Sequence, residues 1–229
     1  MTDEKTIQPS PFCPPLTAPT AKGRERMTEL LTHAIDTFIE LGYERASLEK
    51  IIRKSGGSRS TVYQCYGNKE GLFIAALQMM ADDIYAAYLE QYSHERSLRE
   101  ELCAFGTLFL TKMLSPRAVG ASRLIMAETP RLPEIGRWFY RDGIAMSYEC
   151  FAKVLENHID APLPELTDLA SRYIEMLKGP LFMRALCVPE KPVTREEIAH
   201  EVDAAASLVM TYIHSVYGSR LRQAPPAAD

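Results

Sequence analysis

Residues 24–73 read RERMTELLTHAIDTFIELGYERASLEKIIRKSGGSRSTVYQCYGNKEGLF, and this stretch decides the fold. Its first half carries apolar residues at intervals of three and four, which predicts one face of an amphipathic helix. These apolar residues are Met27, Leu30, Leu31, Ala34, Phe38 and Leu41. Gly42 follows directly, and glycine readily adopts the positive φ found at helix ends. A first helix ending near residue 42 is therefore predicted.

Two shorter helices follow the first one. Ser47 is a suitable N-cap for a second helix, because its hydroxyl can accept a hydrogen bond from a free backbone N–H. Gly56 and Gly57 predict a tight turn, and Ser58 can cap a third helix. Two short helices joined by a glycine-containing turn are typical of a helix-turn-helix. The same shape also occurs as a packing corner in proteins that do not bind DNA.

The predicted third helix, from residue 59 to about 66, carries polar side chains that can reach base edges and phosphates. Val62 is its one plainly apolar, inward-facing residue. An α-helix fits the major groove, where each base pair presents a distinct pattern of donors and acceptors. Asn68 is expected to cap the fourth helix and to place Lys69 near a phosphate. The predicted DNA-contacting residues are Ser47, Ser58, Arg59, Ser60, Thr61, Tyr63, Gln64, Tyr66 and Lys69.

This stretch resembles the head domain of the TetR family of bacterial transcriptional regulators. The resemblance rests on the run GSRSTVY at residues 57–63, on Tyr66, and on the pairs Lys69-Glu70 and Leu72-Phe73. It implies a dimeric regulator, most often a repressor, that binds double-stranded operator DNA. Cys65 stands where the family often has histidine or tyrosine, so no phosphate contact is carried over to it.

Composition is that of an ordinary globular protein. The 229 residues are 46% hydrophobic and 24% charged, with a net charge of −4. Residues 22–70 nevertheless carry nine Lys or Arg against seven Asp or Glu, so the acidic excess lies after them. A mildly basic head predicts modest nonspecific DNA affinity, with specificity supplied by two heads acting together.

The chain ends and the domain bounds follow from composition. Five prolines predict a disordered arm over residues 1–21, and residues 222–229 predict a disordered tail. We expect a DNA-binding domain at 22–70 and a ligand-binding and dimerisation domain at 71–221. No apolar run approaches the length that crosses a bilayer, and the N-terminus has no apolar signal core. The sequence therefore predicts a cytoplasmic protein with no membrane partner.

The predicted fold is all-α, with about nine helices, because no period-two pattern competes with the helical one. The eighth helix is expected from about 165 to 186, and the ninth, capped by Thr194 and Glu197, up to Tyr217. Pro180 removes a backbone donor inside the eighth helix and predicts a kink beside Gly179. The seventh helix is expected from Pro133 to about residue 158.

Residues 123–135 are similar to the C-terminal domain of an AefR-like branch of the TetR family. This implies a body that binds a small effector and dimerises through helices eight and nine. Aromatic and methionine side chains could form an apolar pocket, with a few polar groups to orient an apolar or aromatic ligand; taken singly, they are better explained as core residues. The candidates are Phe105, Phe109, Met113, Arg123, Glu128, Trp138, Tyr148, Phe151, Met176 and Phe182.

The dimer surface is predicted from two helical faces, which together could form a four-helix seam with a second copy. Helix nine offers Ala204, Leu208, Thr211, Tyr212, Ser215 and Val216. Helix eight offers Leu169, Tyr173, Met176 and Leu177.

Five cysteines at positions 13, 65, 103, 150 and 187 are widely spaced, and no histidine lies at zinc-ligand spacing from them. Reduced and mostly buried thiols are therefore expected, with neither metal nor cofactor. A thiol- or metal-sensing repressor of the same fold is the alternative that this spacing leaves open.

Two other function classes remain. Ser47 and Lys50 match the Ser-x-x-Lys of serine acyl-transfer enzymes, but the partner motifs of those enzymes are missing, and Ser47 is explained as a cap. The other function class is a protein-interaction module that does not bind DNA. The leading hypothesis is a ligand-responsive transcriptional regulator, and not an enzyme.

Overall fold

The computed structural model of the chain describes residues 21–55, 59–93 and 95–222. The secondary structure of these residues is helical apart from one isolated antiparallel bridge between Ile159 and Leu221, which confirms the predicted all-α class. The chain divides into two compact units between residues 82 and 83. The first is called the head and the second the body.

The head contains three helices and the start of a fourth. These are α1 (Ala21–Arg45), α2 (Leu48–Ser55), α3 (Arg59–Tyr66) and α4 (Lys69–Gln91), of which α4 continues into the body. The rings of Phe38, Tyr43 and Phe73 form the centre of the head core, with centroids 4.8 to 5.7 Å apart. Burial of three rings gives this small unit a well-packed centre.

The described turns of the head follow the predicted chemistry, whereas the glycine turn predicted at Gly56 and Gly57 and the cap predicted at Ser58 lie outside the described residues. Gly42 has a φ of 77° and interrupts α1, which resumes for one short turn to Arg45. The Ser47 hydroxyl accepts from the backbone N–H of Lys50, so it caps α2 as predicted. Asn68 likewise caps α4 by accepting from Gly71 at 2.8 Å. These short-range contacts fix where α2 and α4 begin.

The body contains the remaining helices. They are α5 (Leu98–Met113), α6 (Pro116–Glu128), α7 (Pro133–Trp138), a π-helical segment (Phe139–Ala145), α8 (Met146–Leu155), α9 (Leu163–Cys187), α10 (Arg195–Tyr217) and a short 3₁₀ turn (Gly218–Arg220). α9 packs against α5, α6, α8 and α10, so it is the central helix of this unit.

The body core is held by aromatic rings and one close helix approach. Phe105 and Phe151 stack with centroids 3.9 Å apart, beside the buried Tyr173. The Tyr173 hydroxyl donates to the carbonyl of Leu102 at 2.6 Å. A Cβ at Gly106 would lie 2.6 Å from that hydroxyl, so only glycine lets α5 and α9 approach this closely.

The junction between α9 and α10 is stabilised by charge. Thr194 and Glu197 form the predicted capping box. Arg184, on α9, donates to both Glu197 carboxylate oxygens at 2.6 and 2.7 Å. Hydrogen bonding from Arg184 lowers the pKa of Glu197 to about 2, so this carboxylate stays charged at neutral pH.

Glu101, on α5, is an acidic residue whose side chain is fully buried. Its Oε1 accepts from the Tyr88 hydroxyl, and its Oε2 lies 3.7 Å from Nη1 of Arg96. Burial raises the pKa of Tyr88, and the bond to Glu101 raises it further, so the hydroxyl stays protonated as a donor. A buried carboxylate therefore joins α4, α5 and the loop between them.

The predicted kink in α9 is confirmed. Gly179 has φ 28° and ψ −137°, outside helical geometry, and Pro180 follows it inside the helix. Proline cannot donate to the helical ladder, and glycine accommodates the positive φ that results.

The predicted seventh helix is present and begins at Pro133, but its internal geometry and its end differ from the expectation. It is α-helical only over Pro133–Trp138 and Met146–Leu155, with the π-helical segment between them, and it ends before residue 158. Asp142 lies buried inside this segment and accepts two hydrogen bonds from Arg141. Apolar spacing does not distinguish a π turn from an α turn, so the sequence missed it.

The ends of the described chain correct two expectations. Ala21, assigned to the disordered arm, begins α1. Arg222, assigned to the tail, donates its backbone N–H to His158 at 2.8 Å. Residues 1–20 and 223–229, to which the rest of those two predictions applies, lie outside the described residues.

One helix among the described residues, α4, is long and apolar enough to cross a membrane by length and composition alone. The expectation that no apolar run approaches that length is therefore wrong. Leu72, Phe73, Ala76 and Leu77 of this helix are buried in the head core, which accounts for part of its apolar character.

Candidate functional site

The outer face of α3 is the first candidate site. Val62 is completely buried, and it anchors the helix to the head. The polar side chains around it are exposed, as the sequence predicted for a recognition helix: Arg59, Ser60, Thr61, Tyr63 and Gln64. A short helix with one buried anchor and five exposed polar residues has the dimensions and chemistry to enter a major groove.

Arg59 is the cationic residue of α3. Its Nη1 lies 3.3 Å from Oε1 of Glu49, on α2. Its guanidinium carbon lies 5.6 Å from the centroid of the Tyr63 ring. The hydrogen bond with Tyr63 raises the pKa of Arg59, and the charge of Glu49 adds to this, so the guanidinium is permanently charged.

The other predicted DNA-contacting residues lie in different surroundings. Ser47 is half-buried and occupied in capping α2, and Tyr66 is half-buried at the end of α3. The Lys69 ammonium donates to the carbonyl of Glu44 at 3.1 Å and lies 4.4 Å from the centre of the Tyr43 ring. Ser58 lies outside the described residues. The DNA contacts of all nine predicted residues, the five on the outer face of α3 included, stay predictions.

The predicted effector residues of the body divide into two groups. Phe105, Phe109, Phe151 and Phe182 are buried, and the first three belong to one continuous core cluster. Met113, Tyr148 and Met176 are half-buried against that cluster. Trp138 is also half-buried. The structure thus brings the three phenylalanines of the cluster together, with Phe105 stacked on both Phe109 and Phe151.

The three polar residues proposed to orient a ligand each have partners within the protein. Arg123 donates to the carbonyls of Ala185 and Leu186 at 2.8 and 2.9 Å, so it caps the end of α9. The Tyr148 hydroxyl donates to Glu175. Oε2 of Glu128 lies 3.6 Å from Nη1 of Arg131. Arg123 in particular is a structural contact between helices here.

An open groove in the described part of the body lies elsewhere. It has a volume of about 500 Å³ and contains none of the predicted effector residues. Its lining is Gln91, Cys103, Ala104, Thr107, Leu108 and Thr111. The location of an effector pocket therefore stays a prediction.

The surface of α10 carries an exposed apolar stripe. Leu208 is 63% exposed, Tyr212 44% and Val216 43%, spaced four residues apart on one face. Ala204, Thr211 and Ser215 are also exposed beside them, as predicted. The contribution predicted from helix eight, now α9, is wrong at three positions, because Leu169, Tyr173 and Leu177 are buried in the body core.

Comparison with known proteins gives the family. Residues 30–76 match the model for bacterial regulatory proteins of the tetR family. Residues 100–212 match the model for the C-terminal domain of AefR-like transcriptional repressors. Together these matches span more than half of the chain. The protein belongs to the TetR family of transcriptional regulators.

Relatives of this TetR-family protein support that assignment. It is 29% identical over 126 residues to an uncharacterized HTH-type transcriptional regulator, YezE, of Bacillus subtilis. That match covers 53% of this chain and 65% of YezE, so the alignment spans a little under two thirds of that relative.

Solved structures share the fold. A putative TetR-family transcriptional regulator from Mesorhizobium loti has a TM-score of 0.68 and 24% identity, and the match covers 82% of this chain and 96% of that one. The flavonoid-responsive regulator FrrA has a TM-score of 0.62 and 21% identity, with the same two coverages. The TetR fold extends over the head and the body alike.

Family membership removes the enzyme alternative. TetR-family proteins are transcriptional regulators and not enzymes. The Ser-x-x-Lys match at Ser47 and Lys50 therefore has a structural explanation, because the Ser47 hydroxyl accepts from the Lys50 backbone N–H.

The cysteines are more accessible than the sequence predicts. Cys65 and Cys187 are exposed, and Cys103 and Cys150 are half-buried, so the expectation of mostly buried thiols is wrong for the four described. These four form no disulfide. Burial raises the pKa of Cys103, which lowers its thiolate fraction and hence its reactivity.

Replacing Cys103, Cys150 and Cys187 by serine, one at a time, is expected to leave the effects of peroxide and of metal ions on DNA binding unchanged. Gel-shift titrations with and without each agent measure this, with Cys65→Ser as a comparison in the head. Loss of a response in one variant would instead support the thiol-sensing alternative.

Glu49 is the residue of the candidate interface that sequence analysis missed. The sequence places it only as the second residue of a short helix. Its importance comes from the packing of α2 beside α3, which brings residues ten positions apart to 3.3 Å. The sequence feature that could have drawn attention to Glu49 is its place as the acidic residue in the first turn of α2.

Proposed function

We propose that this TetR-family protein is a ligand-responsive repressor that binds a pseudo-palindromic operator as a homodimer. In this mechanism α3 of each protomer enters a major groove, and the two grooves lie about 34 Å apart. A small apolar or aromatic effector binds the body and releases the DNA. Release requires only that the effector bind the two conformations with different affinity.

The exposed face of α3 is the observation that carries the proposal. Five polar side chains surround one buried anchor, Val62, on a head whose core is packed by three rings. A packing corner without a DNA-binding role would need no such concentration of donors and acceptors. Phosphate contacts then position the head, and base contacts provide its specificity.

The exposed stripe on α10 supports the homodimer. Leu208, Tyr212 and Val216 expose large apolar area to solvent in the single chain. A two-fold axis beside α10 would bury this stripe against the same stripe of a second copy. The dimer residues predicted on α9 include three that are buried in the core. The large apolar residues that α9 does expose are Met183, at 57%, and Leu163, at 36%.

The aromatic and methionine content of the body supports the effector class. Phe105, Phe109 and Phe151 are buried in the core of the body, and a ligand that entered among such rings would bury apolar area, which contributes about 25 cal/mol per Å². A sugar, with a hydroxyl on nearly every carbon and no aromatic ring, would need many polar partners, whereas Arg123 and Tyr148 already have theirs. Because FrrA is named as flavonoid-responsive, a flavonoid is a suitable first probe.

Replacing Arg59 by alanine is expected to weaken operator binding by roughly tenfold to a hundredfold, as for a base or phosphate contact. Fluorescence anisotropy with DNA from the neighbouring promoter measures it. Arg137→Ala, an exposed charge change in the body, is the matched control. Unchanged affinity in Arg59→Ala, with normal circular dichroism, would remove this residue from the interface.

Uncharged or weakly acidic aromatic compounds are expected both to raise the melting temperature and to release operator DNA. A compound panel containing flavonoids, sugars, nucleotides and metal ions tests this with thermal shift and anisotropy measured together. Sugars or metal ions acting alone in both assays would contradict the proposed effector class, and the aromatic residues would then be core only.

A further inference from the structure

The position of Glu49 suggests a role beyond folding. It lies in the first turn of α2, and Arg59 is the first residue of α3, so the starts of the two helices lie side by side. Their side chains are 62% and 65% exposed, with the ion pair at 3.3 Å. An exposed ion pair of this kind contributes little to stability, so its larger effect is on where the Arg59 side chain lies.

Tyr63 completes the surroundings of the guanidinium. It lies one turn beyond Arg59 on α3, and its ring is 5.6 Å from the guanidinium carbon. Arg59 is therefore contacted by a carboxylate from one helix and by an aromatic ring from its own helix. Both contacts restrict the rotamers of a side chain that would otherwise lose conformational entropy on binding.

The hydrogen-bonding capacity of arginine allows this contact and a base contact together. A guanidinium has five N–H donors, and the O6 and N7 atoms of guanine accept two of them. Nη1 is the guanidinium atom that lies 3.3 Å from the carboxylate, and arginine carries further N–H donors at Nε and Nη2 that a base can use. Glu49 also repels phosphate oxygens, which disfavours a backbone contact by Arg59.

We propose that Glu49 is a specificity-determining residue, which positions Arg59 to contact a guanine in the major groove and disfavours binding of Arg59 to phosphate. This inference rests on the proposed function, because it requires α3 to be the recognition helix. Glu49 acts through Arg59, and it contacts no base itself.

Selection from a library of random DNA duplexes tests this, because the method requires no assumed operator sequence. The wild type, Glu49→Gln and Arg59→Ala are compared with Glu29→Gln, an exposed position on α1 that gives the same change in charge. The consensus selected by Arg59→Ala is expected to lack the guanine that the wild type selects at one symmetric pair of positions. Glu49→Gln is expected to weaken the preference for guanine at that same pair, while Glu29→Gln keeps it.

Binding to mixed-sequence DNA gives a second readout, which a purely structural role would not change. Glu49→Gln is expected to bind such DNA several-fold more tightly. The dependence of log K on log salt should steepen by about 0.9, as for one added phosphate contact. In the Arg59→Ala background, Glu49→Gln should no longer alter the consensus, because its effect passes through the guanidinium.

The outcomes separate the inference from the proposed function. If Glu49→Gln retains the wild-type consensus in full, the role of Glu49 is overturned while the proposed function stands. The same holds if Glu49→Gln alters the consensus at positions that Arg59→Ala leaves unchanged. Selection that yields no consensus with the wild-type protein overturns the proposed function, and the inference with it. Circular dichroism of each variant confirms that the head is folded.

Discussion

Replacing Leu208 by glutamate is expected to convert the protein to monomers and to weaken operator binding by about 10²–10⁴-fold. Leu208 is the most exposed residue of the α10 stripe, and in a two-fold seam two new carboxylates would meet each other in apolar surroundings. The loss of affinity arises because two linked heads bind far more tightly than two separate ones. Light scattering gives the oligomeric state, and anisotropy gives the affinity.

His214→Glu is the matched control for that experiment. His214 is exposed on α10 but lies on a different face from the stripe, with its Nδ1 2.8 Å from the carbonyl of Met210. This variant should remain dimeric and bind the operator normally. If Leu208→Glu is also dimeric with full affinity, the stripe on α10 is not the dimer interface.

Replacing Arg96 by methionine is expected to lower the free energy of unfolding by about 3 kcal/mol, because it leaves the buried carboxylate of Glu101 without its positive partner. The Glu101 side chain, which has no solvent access, would then keep the hydrogen bond from the Tyr88 hydroxyl. Chemical denaturation followed by circular dichroism measures the change. Arg99→Met, which breaks an exposed pair with Asp203, is the matched control and should cost much less.

The double variant Arg96→Met with Glu101→Gln identifies the cause. Removing both charges of a buried pair is far less costly than removing one, so the double variant should recover much of the lost stability. Strictly additive losses would show that Arg96 acts through its other contact, the carbonyl of Gln91, and not through Glu101.

The head could be predicted closely from the sequence because its signals are local. Ser47 and Asn68 each cap a helix within three residues of their partners, and Val62 is the buried residue of α3. Contacts of this range depend on neighbouring residues alone. The sequence therefore located the helices of the head and the exposed face of α3.

The body was predicted less well because its contacts join distant residues. Arg123 meets the carbonyl of Leu186, 63 positions away, and no sequence pattern indicates that pairing. Periodicity likewise shows that Tyr173 and Leu208 lie on apolar faces, but not which face meets the protein's own core. Tyr173 is buried within the chain, whereas Leu208 is exposed. The ion pair of Glu49 with Arg59 was missed for the same reason.

The π-helical segment over Phe139–Ala145 has a consequence for comparing this chain with its relatives. A π turn closes its hydrogen bond across five residues instead of four, so it holds one residue more than an α turn does. Each residue of an α-helix advances about 100° around the axis, so that extra residue changes which side chains of α8 share a face with those of α7. An alignment to a relative with an uninterrupted helix here needs a one-residue gap inside the segment. Without the gap, every equivalence drawn across α8 would be displaced by one position.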